Sequence, residues 1–193
     1  MSQATYYPAQ SAVHESSQSL VEAAKREREA FAQLYTIYAP QLYRYFWFHT
    51  RSQLAAEDLV SEAFLRVLSS LASYDSRRGP FTAWLYGIAR HALARYKWQA
   101  AHSGAARQAA RAAAATDGHN TAPGEERIDL WQAVAELSES EREVIALKFG
   151  GGLTHREIAV VTGLREVHVG VVLGRALQKL RGYLSDEGYV DAQ

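Results

Sequence analysis

The 193-residue chain reads as an all-α protein of two small helical domains joined by a flexible linker, the second containing a helix-turn-helix. Three observations predict this. Apolar residues recur at three- and four-residue spacings, and no stretch alternates with the period of two that a half-buried strand requires. A run rich in Ala, Gly, Asn and Pro interrupts the helical pattern between about residues 100 and 127. Near the C-terminus, "THREIAVVTGLREVHVGVVLGRALQKLRGYL" has the spacing of two helices joined by a glycine turn.

Taken in order, the N-terminal "MSQATYYPAQSAVHESSQ" is polar and aperiodic, and residues 1–28 are read as a partly disordered extension. Helical periodicity begins near Ser19 and runs to Pro40, resumes from Gln41 to Thr50, and returns from Ala55 to Leu71. "SYDSRRGP" is a turn-rich loop, and "FTAWLYGIARHALARYKWQ" is a further helix. The first domain is thus expected over 29–99 and the linker over 100–127. "IDLWQAVAEL", "ESEREVIALKF", "THREIAVVTG" and "EVHVGVVLGRALQKLRGYL" build a second domain over 128–184, with a tail at 185–193. Two capping boxes mark helix starts there, Ser138 with Glu141 and Thr154 with Glu157. "FGGGLT" reads as a helix stop and turn.

Composition narrows the function classes. The net charge is zero, but its distribution is uneven: Phe31 to Gln99 holds eight Lys/Arg against four Asp/Glu, and Ile128 to Leu184 holds seven of each. The first domain therefore carries the electrostatic match to phosphate, the reverse of what a helix-turn-helix would suggest. Without cysteine there is no thiol chemistry. The N-terminus lacks the pattern of a signal peptide, and no apolar run approaches the roughly 20 residues that span a bilayer. A cytoplasmic protein without membrane contact is expected. The histidines are scattered, and no cluster has metal-ligand spacing or a phosphate-binding loop, so no metal, cofactor or enzymatic activity is expected.

Three faces stand out. On the 55–71 helix, Leu59, Val60, Ala63, Phe64, Val67 and Leu71 make a core side, while Asp58, Glu62, Leu65 and Ser69 fall opposite. That stripe is either a solvated face with one stray leucine or a docking face for a basic helix. On the next helix Tyr86, Arg90 and Lys97 are placed outward among small residues, with Trp84 and Trp98 nearby. An aromatic ring can stack on a base and cations can meet phosphate. The preceding loop, with Tyr74, Asp75, Arg77 and Arg78, suits an unstacked base.

"EDLVSEAFLRVL" and "PFTAWLYGIAR", in that order, resemble the second conserved domain of bacterial sigma factors, and "LSESEREVIALKFGGGLTHREIAVVTGL…GRALQKLRGYL" resembles their fourth. With only these two domains and a linker, the chain is similar to the extracytoplasmic-function group of the sigma-70 family. The resemblance implies a subunit that directs core RNA polymerase to promoters and initiates transcription. It implies polymerase contact through Asp58, Leu59, Glu62, Leu65 and Ser69, with the clamp helices of the largest subunit and the flap as partners. It further implies −10 recognition and melting through Tyr74, Asp75, Arg77, Arg78, Trp84, Tyr86, Arg90, His91 and Lys97. Arg95 stands where the family commonly has an acidic residue.

The helix-turn-helix keeps its frame, with Ala159, Gly163 and Val169 at the packing, turn and core positions and Leu173, Ala176 and Leu180 continuing the buried side. Its reading face departs from the pattern. Arg165 stands at the cap, and His168-Val169-Gly170-Val171-Val172 replaces a Thr-Val-Lys-Ser-Arg-like run. Val167, Gly170, Val171 and Gly174 share the outward side as an apolar groove. Three readings stay open: weak −35 duplex binding through Arg156, Arg165, His168, Arg175 and Lys179 to phosphate; a groove for a partner helix such as an anti-sigma or other regulatory protein; or drift, with promoter choice left to the first domain. The alternative function is a sigma-like interaction protein that occupies polymerase or a regulator without promoter-specific initiation.

Overall fold

Helix α2, Arg28–Thr50, is the axis of the structure, a computed structural model that describes residues 18–102 and 131–186. The sequence reading breaks this helix at Pro40. Instead it runs through, because Leu34, Tyr38, Leu42, Tyr45 and Phe46 bury one continuous face on both sides of the proline. Pro40 itself is exposed, so the lost backbone bond falls on the solvent side. The run that was expected to start at Ser19 is divided: α1 covers 18–24, and the chain turns at Lys25. That turn lets Val21 and Ala24 reach the core, while Lys25 Nζ donates to the Tyr74 carbonyl at 3.0 Å.

Helix α3, Gln53–Ser70, packs antiparallel to α2 across a short link at Arg51 and Ser52. Ser52 is its N-cap, accepting from the Ala55 amide at 3.3 Å. Two short 3₁₀ turns, Leu71–Ser73 and Ser76–Arg78, lead to α4, Phe81–His102. After the undescribed 103–130, a short helix α5 (131–135) precedes α6, Glu139–Ile145, which relaxes into a π turn at Ala146–Gly150. Helices α7, His155–Thr162, and α8, Glu166–Asp186, form the helix-turn-helix, with Gly163 in the left-handed conformation at φ 77°. No strand occurs among the described residues. Most of the N-terminal extension, most of the linker and most of the tail lie outside the described residues.

Both capping boxes form as spaced in the sequence. In the first, Lys179 Nζ at 2.8 Å and the Ser138 amide hold the Glu141 carboxyl down to about 2, from an ordinary value near 4.5. A carboxylate depressed in the folded state stabilises it above its unfolded value, and that stabilisation disappears as pH falls from about 4.5 to about 2. Glu141→Gln is therefore expected to flatten the decline of melting temperature over that acid window. An unchanged slope would remove Glu141 as its source.

One apolar core runs through both domains. Leu34, Leu42, Tyr45, Leu85 and Tyr86 of the first domain belong to the same buried cluster as Leu147, Leu153, Ile158 and Val169 of the second. The π turn seats on α2, and α7 seats on α4. Arg51 completes the contact at the far end, its guanidinium 3.2 Å from the centre of the Trp131 ring, beside Trp47 and Phe48.

Candidate nucleic-acid and partner interface

The outer side of α3 carries a leucine stripe wider than its spacing alone suggested. Leu54, Leu65 and Leu68 are 70%, 67% and 58% exposed, and with Asp58 and Ser61 they follow alternating four- and three-residue steps. That register is the seam by which one helix meets another. Leu54 and Leu68 escaped the sequence reading, although the same periodicity carries them. Leu59, assigned to this surface, is corrected: it is 3% exposed, since it lies one position past Asp58 and turns into the core. Glu62 is half-buried and ion-paired with Arg66 at 3.1 Å and with Arg95. Arg95 thus neutralises an acidic group on α3. Asp58 and Ser69 are exposed as expected.

The loop between α3 and α4 is braced from behind. Tyr74 is buried, packing on Phe81 and Trp84 and donating its hydroxyl to the Gly79 carbonyl at 3.0 Å, so its assignment to direct −10 contact is corrected. Burial raises its pKa, and the nearby Glu22 and Asp75 charges add to that. Asp75 caps the turn and holds Arg77 through both carboxylate oxygens, at 3.0 and 2.9 Å. The hydrogen bonds from Arg77 lower the Asp75 pKa. Arg78 is exposed and lines a cleft of about 530 Å³ with Pro80, Thr82, Thr154, Arg156 and Val160.

Along α4, His91, Lys97 and Trp98 are exposed and Trp84 is half-buried. Two outward placements are corrected. Tyr86 is fully buried, its ring against Tyr45 and its hydroxyl against Gly151 of the second domain. Arg90 gives Nε to Glu143 Oε1 at 3.2 Å and donates to the Val161 carbonyl. Tyr86 lies in the core that the two domains share, and Arg90 is turned toward the second domain.

On α8, Val167 is 82% and Val171 43% exposed, and Val160 of α7 adds a third apolar side chain. Val172, assigned to this face, is buried at 7%, because its position three residues after Val169 returns it to the core side. Lys179 is also corrected, being tied to Glu141 rather than free for phosphate. Arg156, Arg165, His168 and Arg175 are exposed. Neither glycine answers a packing need within the chain: a Cβ on Gly174 meets nothing within 4 Å, and one on Gly170 comes no closer than 4.0 Å to His155 Nδ1. Gly174→Ala is accordingly expected to stabilise the protein by roughly 1 kcal/mol, read as a higher denaturant midpoint. A lower midpoint would mean that the glycine serves the fold.

Among the described residues, no group of three or more His, Cys, Asp or Glu side chains could hold a metal ion, and no helix is long and apolar enough to cross a membrane.

Residues 34–102 match the Sigma-70 region 2 family, and residues 127–180 match Sigma-70 region 4. The chain is 30% identical to the ECF RNA polymerase sigma factor BldN of Streptomyces coelicolor over 87% of its length and 66% of that protein's. It is 34% identical to the ECF RNA polymerase sigma factor SigD of Mycobacterium tuberculosis over 68% of this chain and 64% of that one. It thus spans about two thirds of the length of each. Among solved structures it is similar to CnrH in complex with the cytosolic domain of CnrY, with a TM-score of 0.58 and 25% identity, covering 88% of this chain and 96% of CnrH.

Proposed function

The chain belongs to the sigma-70 family of RNA polymerase sigma factors, in its extracytoplasmic-function group, and from that premise we propose that it directs core polymerase to promoters. The observation that carries the reading is the pairing of two separate surfaces on one domain. The exposed leucine stripe of α3, with Asp58 at its edge, docks on a helical partner, the clamp helices of the polymerase largest subunit. The loop at 74–80 and the outer side of α4 face promoter DNA, where Arg77, Arg78, His91 and Lys97 supply the polar contacts. Tyr74 and Trp84 act there as the wall that shapes the loop.

Residues 29–99 constitute the polymerase- and −10-binding domain in this reading, and 128–184 the domain placed upstream. The protein acts in the cytoplasm beside the polymerase, and the chemistry of RNA synthesis is the polymerase's own. The apolar strip of Val160, Val167 and Val171 takes a regulatory protein of the anti-sigma kind. Such a role parallels that of CnrY, which is bound to CnrH in the related structure. An interaction protein that never initiates is the less favoured reading, since both the polymerase-docking and the DNA-facing domain are present.

The test is run-off transcription with purified core polymerase on genomic fragments. Promoter-dependent transcripts that require this protein are expected. Core binding without any such transcript, where a control sigma factor works, would replace the reading with the interaction protein.

A further inference from the structure

The loop at 74–80 is tied from behind to α1, a segment that carries none of the surfaces assigned above. Val21 and Ala24 are buried, and Leu20 and Ala23 pack beside them, so α1 is anchored by its own apolar face. The turn that follows it starts from a fixed place, and Lys25 is its first residue.

Lys25 divides its ammonium between α1 and the loop. Nζ donates to Glu22 Oε1 at 2.7 Å and to the Tyr74 carbonyl at 3.0 Å, and it lies 5.7 Å from the centre of the Tyr74 ring. The pair with Glu22, whose side chain is 54% exposed, contributes little by itself. The bond to Tyr74 is different. It joins residues 49 apart in the chain, and the Lys25 side chain is only 19% exposed. A charged donor on a partly buried carbonyl makes the stronger kind of hydrogen bond.

The other contacts of Tyr74 make it a post for the loop. Its amide donates to the Leu71 carbonyl at 3.1 Å, its hydroxyl closes the loop on the Gly79 carbonyl, and its ring packs on Phe81 and Trp84. None of these decides how the peptide leading to Asp75 lies. The carbonyl does, and Lys25 holds it. Asp75 leaves that peptide extended, at φ −122° and ψ 112°, and its side chain accepts from the Arg77 amide at 3.0 Å. The Arg78 amide donates to the Asp75 carbonyl at 3.0 Å. The directions of Arg77 and Arg78 therefore follow from the plane that Lys25 fixes. After the hydrogen bonds from Arg77, the charges of Arg78 and Lys25 also act to lower the Asp75 pKa, so the Lys25 ammonium is felt on the loop side as well as by Glu22.

We infer that Lys25 is a positioning residue for the DNA-facing loop: by holding the Tyr74 carbonyl it fixes the peptide from which Asp75, Arg77 and Arg78 are presented, and base choice depends on it although it does not touch DNA. The inference rests on the proposed assignment of the loop to −10 DNA. A loop held in one shape does not remould around an ill-fitting base, so loosening it costs discrimination before it costs binding.

The experiment compares full-length wild type, Lys25→Met and Lys25→Arg. Methionine keeps the apolar stem without the charge, and arginine keeps the charge and the reach. Amide hydrogen exchange of the free protein, resolved by NMR, reads the loop itself. Lys25→Met is expected to speed exchange at Arg77 and Arg78 about tenfold, the scale of one charge-assisted hydrogen bond, with the amides of α4 unchanged and Lys25→Arg close to wild type. Base choice is read by run-off transcription with core polymerase. The template is a promoter recovered from the genomic fragments, carrying each of the four bases in turn at each −10 position. Lys25→Met should lower the preference for the best base over the worst by about tenfold at one position or more, and Lys25→Arg should restore it. The salt dependence of promoter binding should stay as in wild type. Unchanged exchange at Arg77 and Arg78, or exchange that quickens equally along α4, overturns the inference. So does a loss of transcript shared equally by all four bases, or a salt slope reduced by about one, the mark of a lost phosphate contact. Failure of the sigma reading shows separately: wild type then yields no promoter-dependent transcript, while exchange still reports the tie between Lys25 and the loop.

Discussion

Asp58→Lys combined with Leu65→Arg is expected to lower the affinity for core polymerase by about thirtyfold or more, the cost of 2 kcal/mol or above that a central interface position carries. Both side chains are exposed, Leu65 at 67%, so the fold has no stake in either. The change reverses a charge and puts a guanidinium on the leucine seam, which strikes at charge complementarity and apolar fit together. Circular dichroism and melting temperature should stay within experimental scatter of wild type. The binding measurement is a titration of labelled protein with core polymerase at fixed salt. Affinity within twofold of wild type would remove α3 as the docking element and direct attention to the apolar groove between α2 and α3 lined by Tyr35, Ala39, Pro40 and Tyr43.

The largest expected loss of stability comes from Phe46→Ala. Phe46 is fully buried on α2, with its ring 5.5 Å from that of Tyr45. Removing a buried phenylalanine forfeits its transfer energy and leaves a cavity, together about 3–5 kcal/mol. Against the 5–15 kcal/mol typical of whole domains, that is a large share. The shift should appear in the urea midpoint. Tyr45, its neighbour, contacts Glu143 and Tyr86, so the damage should spread to the second domain and the two should lose structure together. A loss under 1 kcal/mol would contradict the shared core, as would two separate unfolding transitions in the variant.

The sequence reading succeeded wherever a residue's role is settled by neighbours on the same or the next helix. Ser138 with Glu141, Thr154 with Glu157, the left-handed Gly163 and the buried Val169 and Ala176 all depend on spacings of a few residues. It went wrong where distant segments decide. Helical angle placed Tyr86 and Arg90 outward, but angle says nothing of Tyr45 meeting the Tyr86 ring, or of Gly151 and Glu143 arriving from more than fifty residues further on. Pro40 misled for the same reason: its local cost is real, and buried contacts on either side of it outweigh that cost. Val172 was a simpler slip. Its three-residue step from Val169 marks it as a core position from sequence alone.

The packing of the π turn on α2 has a consequence for how the protein responds to its own abundance. The two faces belong to one chain, so they meet at an effective concentration on the order of millimolar, whatever the amount of protein in the cell. A contact with a separate protein weakens as that protein becomes scarce. This one, made within a single chain, is independent of expression level.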